Sequence, residues 1–336
     1  MRTYTESCER YGPRPVSAGW GSGRFGGYCL WHHYRLQGRT SSRTTFPKRA
    51  WVPVDITVVP RGSYTLLPCS QARDETVERP TVHVPEILLE ADYNAMSLRA
   101  GDIVGEAIRH NPSIVLALPT GTTPIGLYAD LVRRHRDEGL SLSGVTTFNL
   151  DEYVGIAIDD REGYHGFMRS HLFDHVDIPE GAWHLPNPQA TDAGAEVRRY
   201  EGLIDASGGI DLAILGVGAN GHLAFNEPGD TLTGPTHVAA LADDTWLRNF
   251  PSLAPRLKDE PELRARYSTA YTVGIGTILR ARKILVLASG MAKASILASA
   301  VRGAITPRNP ASFLQLHPDV TFILDEAAGS WVHYTA

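Results

Sequence analysis

Ser113-Ile-Val-Leu-Ala-Leu-Pro-Thr-Gly-Thr-Thr-Pro-Ile-Gly-Leu-Tyr-Ala-Asp-Leu-Val-Arg-Arg134 decides the fold. Its first six residues are a short unbroken apolar run, the pattern of a strand buried on both faces. A tight polar turn, Pro119–Pro124, comes next. From there the apolar residues fall at helical spacing, with Thr123 expected as the N-cap and Pro124 as the first helical residue. Strand, turn and helix in that order make the first half of a βαβ unit.

The same grammar recurs outward from this stretch. Val145–Leu150, Asp211–Leu215, Lys283–Ala288 and Val320–Leu324 read as further short apolar strands, and Met291–Val301 as a helix after the fourth of the five. Short apolar strands alternating with helices predict an α/β fold: a Rossmann-like, doubly wound, mostly parallel sheet with helices on both faces. No internal repeat and no coiled-coil heptad is present. The pattern begins at about Val82, so the reading places an α/β domain at 82–336. Residues 1–81, rich in Gly, Arg, Ser and Pro, form a poorly ordered or non-conforming N-terminal extension.

Composition narrows the function classes. The 336 residues are 43% hydrophobic and 21% charged, ordinary for a folded protein. No window approaches the roughly 18 apolar residues that span a bilayer, and the start lacks the apolar core of a signal peptide. A soluble, cytoplasmic protein with no membrane partner is expected. The net charge is −5; residues 1–81 hold 12 basic and 6 acidic residues, or +6, so the remainder carries −11. An acidic body argues against nucleic acid as a partner, and any phosphorylated ligand needs a local electropositive pocket. All three cysteines (Cys8, Cys29, Cys69) precede the main domain, which excludes a cysteine nucleophile or thiolate-bound metal there. No metal site is expected. A homo-oligomeric state is compatible with the sequence.

Four unusual stretches each begin where a predicted strand ends: Pro119–Pro124, Asp151–Gly155, Gly216–His222 and Ser289–Lys293. Ligands of open α/β sheets bind at the carboxyl ends of the strands. In the first stretch, Thr120, Gly121, Thr122 and Thr123 lead into a helix N-terminus, whose free N–H groups and dipole suit an anion such as phosphate. Lys293, placed just inside the helix after Ser289-Gly290, reaches the same anion as a point charge. In Phe148-Asn-Leu-Asp-Glu-Tyr153 two adjacent carboxylates of an extended chain point to opposite sides. Asp151 is the candidate general base of a partly dry cleft, and Glu152 has the structural role of accepting loop N–H bonds. In Gly216-Val-Gly-Ala-Asn-Gly-His-Leu-Ala-Phe-Asn-Glu-Pro228, three glycines allow a close approach of ligand to backbone. His222 can change charge near neutral pH, and Glu227, five residues on and with Asn220 nearby, is placed to orient it, as base and orienter in a triad.

Those residues, with His171-Leu-Phe-Asp-His-Val176 and Leu314-Gln-Leu-His-Pro318, closely resemble the glucosamine-6-phosphate deaminase family from about Val82 to about Glu326. The related 6-phosphogluconolactonases share the Gly-His element, but there the histidine is typically followed by Thr-x-Ser-Leu-Phe rather than Leu-Ala-Phe-Asn-Glu-Pro. The resemblance implies that an aldose 2-amino-6-phosphate and water give fructose 6-phosphate and ammonia with no metal or organic cofactor. It implies that His222, oriented by Glu227 and the side chain at 220, opens the pyranose ring. Asp151 then carries the proton between C2 and C1, and the Thr120–Thr123 turn with Lys293 holds the phosphate. Three departures stand out. Position 220 is Asn where some relatives have Asp, a change from charge to dipole. Position 122 is Thr where Gly or Ser is usual. The lid after Glu227 does not align cleanly, leaving Arg248 and Arg256 as candidates for its phosphate-meeting arginine. The Arg-x-Lys element of allosteric members is His237-Val-Ala239 here, so no activation by an N-acetylated sugar phosphate is expected. The competing readings are a deaminase for galactosamine 6-phosphate or another 2-amino sugar phosphate, a 6-phosphogluconolactonase-like hydrolase, and a non-catalytic sugar-phosphate sensor. A sensor should have lost an acid/base residue and gained a helix-turn-helix; Asp151, His222 and Glu227 are all present.

Overall fold

The apolar runs form strands because alternate side chains find a hydrophobic layer on each side. Val115 and Ala117 join one core cluster while Leu116 and Leu118 join the other, and the residues of Ala213–Leu215 and Ile284–Ala288 divide the same way. Each such Leu, Ile or Val, almost fully buried, contributes roughly 1.5–3 kcal/mol. The computed structural model describes residues 83–241 and 259–332, all of which lie in one compact unit. The extension expected at 1–81, and Arg248 and Arg256 of the lid, fall outside the described residues.

In chain order the elements are β1 (Glu86–Glu90), α1 (Tyr93–His110), β2 (Val115–Leu118), α2 (Ile125–Glu138), β3 (Thr146–Asn149), β4 (Asp151–Tyr153), α3 (Tyr164–His171), β5 (Trp183–His184), α4 (Ala193–Ala206), β6 (Leu212–Gly216), β7 (His237–Ala240), α5 (Pro261–Arg266), β8 (Thr269–Thr272), α6 (Ile275–Leu279), β9 (Lys283–Ala288), α7 (Ala294–Arg302) and β10 (Val320–Asp325). Among the described residues, seven strands make a parallel sheet in the order β1-β10-β9-β6-β2-β3-β5. Helices α1, α2 and α3 cover one face; α4, α6 and α7 cover the other. The α/β expectation therefore holds. Apart from β1, which adds at the edge beyond β10, strand order runs outward in both directions from β2 and β6, so the topological switch point, where such sheets bind ligands, lies between these two strands. A second, antiparallel sheet, β4-β8-β7, grows from the end of β3 and was not read from the sequence.

One expectation about local structure is corrected. Thr123 does not cap α2; the cap position is Pro124, in helical conformation, with no side-chain bond. The capping group arrives from α1 instead. Tyr93 Oη accepts the Gly126 N–H at 2.8 Å and donates to the Thr122 carbonyl at 3.1 Å. The family landmark Leu314-Gln-Leu-His-Pro318 is structural. Gln315 Nε2 donates to the carbonyls of Ala300 and Gly303, and His317 Nε2 meets the Ala281 carbonyl at 2.7 Å while its Nδ1 accepts the Asp319 N–H. These bonds fix α7 against the loop that leads into β9.

Candidate active site

The four stretches singled out in the sequence follow β2, β3, β6 and β9, which are consecutive in the order β9-β6-β2-β3. Because these strands are parallel, all four stretches rise from one rim, at the switch point.

After β2, Gly121 takes φ +95°, a left-handed conformation that favours glycine, with open space where a side chain would be. The N–H groups of Gly121, Thr122 and Thr123 have no acceptor among the described residues, while that of Gly126 is taken by Tyr93. Across the rim, Lys293 is half-buried at the cap of α7, at the end of the 3₁₀ turn Met291–Lys293. That is one step before the helical position expected from the sequence. The turn is tied down by Asp325 at the end of β10. Its carboxylate accepts the Ser289 hydroxyl at 2.5 Å and the N–H groups of Gly290 and Ala328. Burial opposes ionisation of Asp325, but these bonds hold its carboxyl below the usual range.

After β3 the chain steps directly into β4. Asp151 is 6% exposed and its Oδ1 has no hydrogen-bond partner among the described residues. Burial, joined by the charge of Glu152, pushes its carboxyl well above the usual range. Tyr128 of α2, Tyr164 of α3 and Tyr200 of α4 all sense the Asp151 charge, their own phenols raised chiefly by burial. Glu152 is fully buried, accepts the N–H groups of Tyr153, Tyr164 and His165, and lies 2.8 Å from His165 Nδ1. It has the structural role expected of it.

After β6 the loop carries His222, Asn220 and Glu227. His222 Nδ1 lies 3.3 Å from Glu227 Oε1, inside ion-pair reach but without hydrogen-bond alignment. Asn220 was expected to orient the imidazole; it orients the carboxylate instead. Its Nδ2 donates to Glu227 Oε2 at 2.7 Å, and its Oδ1 accepts the His222 backbone N–H at 3.2 Å. The glycines also differ from expectation. A Cβ on Gly218 would sit 2.4 Å from His222 Nε2, so this glycine makes room for the imidazole rather than for a ligand. Gly221 takes φ +91° against the Asn309 side chain, and Gly216 alone of the three faces open space. Between His222 and Glu227, Ala224 has φ +51°, a strained value for a non-glycine residue.

The histidine loop and Asp151 are joined through β8. Thr272 pairs with Asp151 in the small sheet, and its hydroxyl accepts the Phe225 N–H at 3.0 Å. Asn226 Nδ2 donates to the carbonyls of Val273 and Leu223, while Val273 N–H donates to the Leu150 carbonyl. Thus a dry carboxylate, an imidazole with a carboxylate beside it, and a turn of open N–H groups are built on one rim. The sequence reading missed Tyr93, Tyr164, Thr272 and Asp325. None carries a motif, and each is recruited by a partner remote in sequence. Among the described residues no group of His, Cys, Asp and Glu is arranged to hold a metal ion, and no helix is long and apolar enough to cross a membrane.

A family model for glucosamine-6-phosphate isomerases/6-phosphogluconolactonase matches residues 93–322. Glucosamine-6-phosphate deaminase of Geobacillus sp. (strain WCH70) is 44% identical over 247 residues, 74% of this chain and 96% of the relative. The deaminase of Rhodopirellula baltica is 45% identical over 249 residues, again 74% and 96%. A solved structure of a monomeric glucosamine-6-phosphate deaminase superposes with a TM-score of 0.67 at 40% identity, covering 73% of this chain and 99% of that one. The 6-phosphogluconolactonase of Trypanosoma cruzi, 21% identical with a TM-score of 0.57, shares the fold.

Proposed function

The chain belongs to the family of glucosamine-6-phosphate isomerases and 6-phosphogluconolactonases, and on that premise we propose a deaminating isomerase of amino-sugar metabolism. It converts glucosamine 6-phosphate and water to fructose 6-phosphate and ammonia. The observation that carries this reading is the placement of Asp151 and the His222–Glu227 pair on one rim, joined through Thr272.

The roles are those that the family resemblance implies, and the geometry supports them. The imidazole of His222 takes the proton of the anomeric hydroxyl and returns it to the ring oxygen, opening the pyranose; Glu227, held by Asn220, steadies the imidazolium that forms meanwhile. The open-chain sugar is an aldehyde with an amine on C2. Asp151, in its carboxylate form, removes the C2 proton to give an enolamine and delivers a proton to C1. The resulting C2 imine adds water and expels ammonia, so every atom of substrate and water is accounted for. The Thr120–Thr123 turn and Lys293 bind the phosphate end, which supplies positioning rather than chemistry. A base kept dry has a proton affinity closer to the working pH than an exposed carboxylate, which suits transfer from carbon. We place the enzyme in the cytoplasm.

Two measurements test this. Ammonia release assayed on glucosamine 6-phosphate and galactosamine 6-phosphate side by side is expected to favour the first; release from neither ends the deaminase reading. Asp151→Asn is expected to keep sugar-phosphate affinity within a few fold while abolishing deuterium exchange at C2, followed by proton NMR. Wild-type exchange in that variant removes Asp151 from the role of base.

A further inference from the structure

Two phenols grip the backbone of the turn between β2 and α2. Tyr128, in the first turn of α2, donates its hydroxyl to the Pro119 carbonyl at 2.5 Å. Tyr93, the first residue of α1, donates to the Thr122 carbonyl at 3.1 Å and accepts the Gly126 N–H at 2.8 Å. α1 comes this close because Gly126 has no side chain: a Cβ there would collide with Ser97 Oγ and lie 3.1 Å from Tyr93 Oη. The start of α1 is itself fixed. Asp92 Oδ1 accepts the Ala95 N–H at 2.9 Å, and Ser97 Oγ donates to the Tyr93 carbonyl at 2.7 Å.

A peptide unit is planar and, with none cis among the described residues, its C=O and N–H point in opposite directions. Holding the Pro119 carbonyl therefore sets the direction of the Thr120 N–H. Holding the Thr122 carbonyl sets that of the Thr123 N–H. Neither N–H has an acceptor among the described residues. The bonded carbonyls are the groups that would repel an anion, and each lies across its peptide plane from an N–H that attracts one. Tyr93 does more than Tyr128, because its second bond takes the Gly126 N–H and so removes a donor at the start of α2 from those an anion can reach.

We propose that Tyr93 is a positioning residue for the phosphate end of the substrate: its hydroxyl fixes the Thr122–Thr123 peptide with the carbonyl turned from the anion and the Thr123 N–H turned toward it. The proposal rests on the reading of this turn as the phosphate seat and extends it to a residue on another helix. Tyr93 acts through the backbone of the turn, away from the reacting atoms.

Tyr93→Phe tests this, because it removes the hydroxyl and keeps the ring that packs on the core. The KM for glucosamine 6-phosphate is expected to rise about three- to ten-fold, the worth of roughly one hydrogen bond. The kcat at saturation should stay within about two-fold, since the binding lost is common to ground and transition states. The Kd of inorganic phosphate, titrated by calorimetry, is expected to rise by the same factor as KM. A merely structural role would lower the melting temperature and kcat and leave KM and the phosphate Kd at wild-type values. Ser97→Ala removes a buried hydroxyl from the same helix contact without a bond to the turn, and is expected to keep both values. Wild-type KM and phosphate affinity in Tyr93→Phe overturn the proposal. Should that variant not fold, the amide resonances of the wild-type enzyme decide. Inorganic phosphate is expected to move the Thr123 amide proton downfield and leave that of Gly126 in place; any other response overturns the proposal. An enzyme that releases no ammonia, but whose phosphate affinity still falls in Tyr93→Phe, would overturn the function while leaving this inference standing.

Discussion

At the scale of single residues, His222 is placed by what is missing at Gly218. Its ring occupies the volume a Cβ there would fill, 2.4 Å from Nε2. Gly218→Ala is therefore expected to rotate the imidazole away from Glu227 and lower kcat by at least about ten-fold, since a misplacement on the order of 1 Å at a reacting group costs up to about a hundred-fold. Substrate affinity should change far less, which a binding titration checks. If Gly218→Ala turns over like wild type, the ring does not need its observed seat. The sequence showed the glycine, the histidine and the carboxylate together, but not which touched which. Asn220 is the instructive case: the family resemblance implied that it oriented the histidine, whereas its amide reaches Glu227, seven residues on. A loop of this length can close in many ways, and its contacts are chosen by what lies beneath it. Here that is the Thr272 hydroxyl and the Val273 carbonyl, holding Phe225 and Asn226.

At the scale of elements, Asp325 ends β10 and holds the turn that starts α7, so one carboxylate couples a core strand to Lys293. Its carboxyl lies below the usual range in the folded protein, because the bonds from Ser289, Ala328 and Gly290 outweigh the opposing effect of burial. A group depressed in this way contributes stability above its unfolded pKa of about 3.9, and that stability is lost as pH falls through the lower folded value. Asp325→Asn is expected to reduce stability at neutral pH by roughly 1–3 kcal/mol, the cost of leaving buried donors poorly satisfied, with the loss shrinking below about pH 4. Chemical denaturation at pH 7 and pH 3.5 measures both; an equal loss at the two pH values would mean that the charge of Asp325 contributes nothing. The KM for the sugar phosphate should also rise as the Lys293 turn loosens. The five apolar strands were legible because each carries its burial on its face. β1 was not, since glutamates bracket its apolar centre, and β5 has two residues. The strands of the small sheet are brief, three or four residues each, and exist by pairing with one another.

At the scale of the whole molecule, 247 residues of this chain account for 96% of the length of the Geobacillus relative, and the family match begins at residue 93. Deleting residues 1–80 is therefore expected to leave a cooperatively melting enzyme with kcat within about three-fold of the full chain; a broad, non-cooperative melt would show that the body depends on them. What the sequence determined by itself is the alternation of buried strands and helices, and with it a parallel sheet whose carboxyl rim gathers the four unusual stretches. Hydrophobic periodicity is a local property, written residue by residue, and βαβ connections force the strand ends to one side. What the tertiary structure alone decided is which groups meet there. Tyr93 rather than Thr123 caps α2, Asn220 holds the carboxylate rather than the imidazole, and Glu152 locks α3 beside Asp151. Each of these contacts pairs a donor with an acceptor on a different element or across a loop. Buried polar groups must find such partners, but the one they find is set by how the packed layers bring the chain together.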